Sequence, residues 1–237
     1  MNNADNEWFL WLDNAHSPQL NMSIDEILLN RIAAIGKPLL RIYKWDRPSV
    51  TIGYVQSFDA APHDRYTVVR RPTGGGVVYH DSDLTYTVII PPGHDIAKLD
   101  RLESYHVFHR AILLALAELG LEARLAPDES SPVDRATMQC FVTPTRYDVI
   151  AAGRKYAGAA QRRTRSGVLH QGSIDLKAAA GDENLLKQKL IAAFEKQFNI
   201  NFIDFTPDTQ FIKSAEELAI DKYATDDWNC LKKHGKR

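Results

Sequence analysis

The chain opens on a short aromatic and apolar run, Trp8 to Leu12, which predicts a strand. Ser23 to Glu26 has the spacing of a capping box. The apolar positions after it, Ile27, Leu28, Ile32 and Ile35, share a helical face that ends at Gly36 and Pro38. Leu39 to Trp45 alternates as a strand does, Ser49 to Tyr54 predicts another, turned at Gly53, and Val68 to Arg71 leads into a glycine-rich turn. Leu84 to Ile90 is strand-like and stops at two prolines. The strongest helix signal is the recurrence of Val107, Phe108, Ala111, Ile112, Ala115, Leu116 and Leu119 up to Gly120. A polar loop is expected from about Pro127 to Gln139. Tyr147 to Ala151 and Arg154 to Ala160 predict a hairpin turned at Ala152 and Gly153, followed by a strand from Val168 to Leu176. Leu185, Leu186, Leu190, Ile191, Phe194 and Phe198 mark a last long helix. A short helix beginning at Ser214, with Glu217 three residues on, is expected in the tail.

Strands in hairpin-like pairs with helices between them indicate an α+β fold and not a regular βαβ array. The simplest division is a catalytic-sized domain over 1–205 and a short C-terminal extension over 206–237. With 44% hydrophobic and 25% charged residues the chain can bury a core, which excludes wholesale disorder. Twenty-nine basic and 30 acidic residues leave a formal charge of -1, which argues against a dedicated nucleic-acid binder. The longest apolar stretch, Ala111 to Ala117, is far short of the roughly 20 residues that span a membrane. The N-terminus does not look like a signal peptide. Two cysteines, Cys140 and Cys230, form no CxxC pair, so the expectation is a reducing, cytoplasmic setting with no zinc or other metal site.

Four segments carry candidate chemistry. Arg70 to Asp81 (RRPTGGGVVYHD) holds three consecutive glycines, which let a backbone approach a ligand, flanked by the donors Arg71 and His80. It lacks the Gly-Lys-Ser/Thr of a phosphate loop, and a plain turn between strands is the alternative reading. Gly153 to Arg163 (GRKYAGAAQRR) sets Lys155 after a tight turn and before small residues that suit a pocket floor. A solvated strand lysine is the alternative. Gly167 to Ile174 carries His170, a site donor or a structural histidine. Cys140, at the exit of the polar loop, reads either as a buried structural thiol or as a nucleophile whose thiolate is favoured by nearby cations.

Together these segments resemble the lipoate–biotin protein ligase superfamily, over about Leu12 to Leu176. The resemblance runs through Asn21 to Glu26, Tyr43 to Trp45, Gly53 to Gln56, Arg70 to Asp81, Gly153 to Gln161 and His170 to Ile174. It implies a mixed, largely antiparallel sheet flanked by helices and the handling of octanoyl, lipoyl or biotinyl groups. Cys140-Phe141 followed by Pro144 and Tyr147, and His80 to Val88, is similar to the cysteine-dependent octanoyltransferases of the lipoate–protein ligase A family. In that pattern Cys140 is the acyl-accepting cysteine and Lys155 the site lysine. Arg71, Gly74, Gly75, Gly76, Tyr79, His80, Gly158, Ala160, His170 and Gly172 are then the substrate-binding candidates. Tyr43, Val78 and Tyr86 are expected to line the acyl tunnel. Gly76 stands where many such transferases have arginine, as in the ligases.

The resemblance implies transfer of octanoate from octanoyl-acyl carrier protein through Cys140 to a lysine of a lipoyl domain. The acceptor would be a glycine-cleavage carrier or a 2-oxoacid dehydrogenase subunit, and no cofactor would be needed. Two alternatives stay open. One is an ATP-dependent lipoate–protein ligase, which would need ATP and Mg. The other is an amidotransferase between lipoyl domains. A biotin ligase fits the cysteine segment poorly. Arg154, Lys155, Arg162, Arg163 and Arg165 form a basic segment suited to an acidic carrier or to a solvated hairpin face.

Overall fold

The computed structural model describes residues 6–127 and 146–231. β1 (Glu7–His16) runs into α1 (Pro18–Ile35), which Ser17 caps by accepting from the Leu20 N–H. Pro18 occupies the first turn, where its missing N–H has no intrahelical role. The Ser23–Glu26 spacing is therefore not a helix start. The earlier Ser-Pro pair begins the helix, and Ser23 lies inside it, donating to the Ala215 carbonyl. There follow β2 (Leu39–Trp45), β3 (Ser49–Ile52), β4 (Thr67–Arg70), β5 (Val78–Tyr79) and β6 (Asp83–Ile90). Next come α2 (Asp95–Lys98), α3 (Arg101–Ala117), β7 (Arg124–Leu125), β8 (Val149–Ala151), β9 (Arg154–Thr164) and β10 (Gly167–Asp175). The chain ends with α4 (Glu183–Phe198), β11 (Asn201–Asp204), α5 (Thr209–Leu218), a π-helical turn at Ala219–Tyr223, and α6 (Asp226–Asn229).

Eight strands form the main sheet in the order β11-β1-β2-β6-β10-β9-β8-β7. It is parallel at β11-β1 and β1-β2 and antiparallel elsewhere, so the expected mixed, largely antiparallel α+β fold is borne out. A small second sheet has the order β4-β3-β5. Side-chain alternation divides the main sheet's two faces. Leu40, Ile42, Leu84, Tyr86, Val88, Val168 and Ile174 point to one face and pack with Phe108, Ile112 and Leu116 of α3 and Leu186, Leu190 and Phe194 of α4. Leu39, Ile89 and Leu169 point to the other and pack with Ile24, Leu28 and Ile32 of α1 and Phe211 of α5. The β8–β9 hairpin turns where expected. Ala152 and Gly153 both have positive φ (47° and 73°), the two-residue turn whose twist matches the strands.

The tail expectation needs one correction. Asp208 caps α5 through the Phe211 N–H, so the helix starts before Ser214, whose hydroxyl donates instead to the Gln210 carbonyl. Tyr223 and Trp228 are buried against Met22 and Val69, so the extension is docked on α1 and β4. No helix among the described residues is long and apolar enough to cross a membrane.

Candidate active site

Where the main sheet faces β3, β5 and the glycine-rich turn, a cavity opens. It encloses about 530 Å³ when its open mouth is included. Its walls combine the apolar Met22, Tyr43, Trp45 and Val78 with Thr51, Arg71, His80, Thr85, Lys155, Gln171 and Ser173. Gly158 and Ala160 of β9 lie opposite Ser173 and Gln171 of β10, so all four sit on the α1-side face of the sheet. Lys155 reaches the same face because β9 is irregular. Val149 pairs with Ala157 but Ile150 with Lys155, which leaves Tyr156 as an extra residue. Tyr156 and Ala157 both pack against the α3–α4 core, and the bulge reverses the alternation before them.

Lys155 Nζ lies 2.7 Å from Asp148 Oδ2, and both side chains are only 3% exposed. A buried ammonium so paired is a fixed positive charge in a low-dielectric wall, suited to stabilising an oxyanion. Gly158 makes room for it: a Cβ there would stand 2.4 Å from Lys155 Cε. Asp148 was not among the expected site residues. In sequence it was one acidic residue at a strand start, and only the fold sets it against Lys155.

Across the cavity, His80 stacks on Trp45 with ring centroids 4.0 Å apart. Its Nε2 lies 3.0 Å from Thr51 Oγ1 and its Nδ1 2.9 Å from Asp83 Oδ2. Asp83 Oδ2 also accepts from Ser173 (2.6 Å) and Thr85 (2.9 Å). Burial by itself raises the Asp83 carboxyl, but the His80 charge and these donors outweigh it and hold it below the ordinary carboxylate range. A second buried carboxylate underlies the floor. Asp25 accepts from Arg41 Nη1 (2.7 Å), Gln171 Nε2 (2.7 Å), Thr87 (2.8 Å) and Tyr43 (3.3 Å). Gln171 Oε1 accepts from Thr73 (2.7 Å), which ties this network to the glycine-rich turn. The one sequence signal for it is Arg41, a charged residue on a strand position flanked by Leu39 and Tyr43.

The fold gathers Arg71, Gly75, Gly76, His80, Lys155, Gly158, Ala160 and Gly172 around the cavity, with the tunnel candidates Tyr43 and Val78. Gly75 has φ +87°, a conformation that a side chain would strain. Arg71 does not extend into the cavity as a free donor. Its guanidinium donates to the carbonyls of Thr51 (3.1 Å), Gly74 (2.6 Å) and Gly76 (2.7 Å) and braces the turn. Four expected residues lie off the cavity. Gly74 contributes its carbonyl to Arg71, and Tyr79 packs edge-on against Tyr66 on the outer side of the small sheet. His170 is on the α3 side, its ring 4.5 Å from Phe108, because it alternates with the cavity-facing Gln171. Gln161 Nε2 donates to its Nδ1 (3.0 Å), and burial, then His109, pushes its basicity well below the usual histidine value. Tyr86 is likewise in the α3–α4 core, behind Gly172, where a Cβ would stand 2.2 Å from its ring. Within the basic segment Lys155 is buried, Arg154 pairs with Asp175, Arg162 donates to the Pro72 carbonyl and Arg163 to the Ala97 carbonyl, while Arg165 is exposed. Cys140 lies outside the described residues.

Comparison with known proteins places this geometry. The proteins named Octanoyltransferase LipM of Bacillus cereus and Bacillus anthracis are each 31% identical to this chain, over 91% of it and 95% of their own length. A T. acidophilum protein solved with bound lipoic acid superposes with a TM-score of 0.78 at 26% identity, covering 94% of this chain and 98% of that one. A bipartite lipoate protein ligase of Thermoplasma acidophilum, studied with its E2 lipoyl domain, superposes at 0.76 with 25% identity, covering 98% and 99%. The sequence model of the lipoyl protein ligase A/B catalytic domain matches residues 17–199, and the chain belongs to that family.

Proposed function

We propose that this acyltransferase moves an octanoyl group from acyl carrier protein to a lysine of a lipoyl domain through an acyl-cysteine at Cys140. The observation that carries the reading is the cavity itself. Its walls are largely apolar, its lysine is already paired with Asp148, and Arg71 is engaged by carbonyls of the turn. Such a site suits an uncharged acyl thioester better than a triphosphate and a free carboxylate, each of which needs unsatisfied cations. The relatives' shared name supports the same chemistry.

In the first step the Cys140 thiolate attacks the octanoyl carbonyl. A new C–S bond forms as the bond to the carrier sulfur breaks, and the carrier thiolate takes up a proton. In the second, the neutral amine of the acceptor lysine attacks the acyl-cysteine. The amide C–N bond forms, the Cys140 thiolate leaves, and the amine's proton is released. Lys155 faces the oxyanion of both tetrahedral intermediates. Met22, Tyr43, Trp45 and Val78 hold the alkyl tail, whose burial contributes about 0.8 kcal/mol per CH₂. One thioester is exchanged for another and then for an amide, so the reading requires no ATP or other cofactor. The acceptor is a glycine-cleavage carrier or a 2-oxoacid dehydrogenase subunit, and we place the reaction in the cytoplasm, where a free thiol persists.

Intact-mass spectrometry tests this. Wild-type protein incubated with octanoyl-acyl carrier protein, without ATP, is expected to gain one octanoyl group, and Cys140→Ala none. Absence of the adduct on wild type overturns the reading. Lipoylation from free lipoate and Mg-ATP by Cys140→Ala would establish the ligase chemistry in its place. An adduct formed only from an octanoylated lipoyl domain would make the enzyme an amidotransferase.

A further inference from the structure

Residues after Asp204 lie beyond the 17–199 span that the family model matches, and besides the packing of α5 on α1 two polar anchors fasten their far end beside the cavity. The first is on α1, where Glu26 accepts from Lys222 Nζ (2.7 Å) and the Tyr223 hydroxyl (2.5 Å). The second is on β4. Asn229 Oδ1 accepts from the Arg70 N–H (2.8 Å), and Trp228 Nε1 donates to the Arg70 carbonyl (2.8 Å). The Arg70 guanidinium donates back to the carbonyls of Trp228 (3.1 Å) and Asn229 (2.5 Å). Asn229 Nδ2 donates to the carbonyls of Tyr223 (2.8 Å) and Thr225 (3.1 Å), which fixes α6 in this pose.

Arg70 is wholly buried, and each hydrogen-bond partner of its guanidinium is a backbone carbonyl. Those not in the tail belong to one loop: Gly53 (3.1 Å), Tyr54 (3.1 Å) and Gln56 (2.6 Å). That loop backs the glycine-rich turn. The Tyr54 N–H donates to the Thr73 carbonyl (2.8 Å), and a Cβ at Gly53 would stand 2.0 Å from the Gly75 carbonyl oxygen. Gly75 and Gly76 are cavity wall. One guanidinium thus joins the tail to the loop behind the turn, while its neighbour Arg71 braces the turn itself.

We infer that the C-terminal segment 209–229 sets the position of the glycine-rich turn through Arg70, with Trp228 and Asn229 as positioning residues for acyl-donor binding. A buried guanidinium that loses some of its carbonyls must re-aim to replace them or admit water. The 53–56 loop moves with it, and so does the turn packed on that loop. A misplacement of about 1 Å in a reacting geometry is enough to change rates by as much as about 100-fold. The kinetic readout rests on the octanoyl-transfer reading; the structural readout does not.

The test compares full-length Asn229→Ala and Trp228→Phe with Glu26→Gln, which loosens only the α1 anchor. Two quantities are measured: amide hydrogen exchange across residues 71–77, and steady-state kinetics with octanoyl-acyl carrier protein. Asn229→Ala and Trp228→Phe are expected to speed exchange in the turn. They should also raise KM for the donor about tenfold, with a smaller change in kcat. Glu26→Gln is expected to lower stability while leaving both quantities unchanged. Unaltered exchange at 71–77 in Asn229→Ala, or an equal acceleration in Glu26→Gln, overturns the inference. Faster turn exchange in Asn229→Ala, found alongside a wild type that transfers no octanoate, would overturn the functional reading and leave this one standing.

Discussion

His170 and Gln171 are neighbours on one strand and sit in opposite electrostatic worlds. Gln171 looks into the cavity face, where buried charges are met by opposite charges: Lys155 by Asp148, and Asp25 by Arg41. His170 looks into the α3–α4 face, where burial works against charge on the titratable rings. Burial lowers the basicity of His109 as well as His170, and Phe108 and Tyr105 surround them. The cavity face keeps its charges where a transition state can use them. On the opposite face burial disfavours the charged form of His109 and His170. A histidine in a site motif is therefore no guide to catalysis until its side of the sheet is known.

The largest effect that would break this contrast is at Lys155. Lys155→Met is expected to cost about 10²–10³ in transfer rate, as loss of an oxyanion donor does. It also breaks the buried ion pair with Asp148, with an expected loss of about 3–5 kcal/mol in urea unfolding. Lys155→Met with Asp148→Leu should regain much of that stability and none of the rate. Recovery of activity in the double variant would show that the charge at Lys155 is dispensable. Gly158→Ala comes next. Its methyl displaces the end of Lys155 without removing the charge, so the rate is expected to fall by about tenfold, with a smaller stability loss than Lys155→Met causes. Single-turnover acylation and thermal melting separate the two.

A smaller effect appears in acid. His109 and His170 are harder to protonate in the folded protein than in the unfolded chain, where the histidine value is about 6.5. Their contribution to stability is complete above that value and is lost as the pH falls below it, because only the unfolded state takes up the protons. Denaturant midpoints measured downward from pH 7 should show the decline. His170→Gln, which cannot be protonated, should flatten it. Least of all, His170→Gln is expected to leave kcat/KM at pH 7.5 unchanged. A marked loss there would return His170 to the site.

Much of this was legible in the chain. Leu39 to Trp45 is legible as a strand and is apolar on both sides because its two faces meet different helices, and the α3 and α4 stripes are wide because each packs on the sheet. Parallel pairing at β11 was not legible. Asn201 to Asp204 is short and half exposed, so no alternation marks it. Ser23 and Ser214 misled because capping residues also occur inside helices, and the true caps, Ser17 and Asp208, lie upstream. Within the site, the glycine-rich turn and Lys155 were legible from residue type. Asp148, Asp25 and Asp83 were not, since a buried acid is identified by what the fold brings to it. Which side of the sheet His170 occupies depends on strand register, and no property of the residue reveals it.

The extra residue at Tyr156 has a consequence for how this hairpin can change over time. Because it inverts the alternation ahead of Ala157, it decides on which side of the sheet Lys155 emerges. Were the bulge lost at unchanged length, regular alternation would turn the lysine into the α3–α4 core. Loss of the extra residue together with the bulge would keep it on the cavity face. The hairpin can therefore shed or keep its bulge only in step with its residue count, a rule imposed by geometry and indifferent to which amino acid fills the extra position.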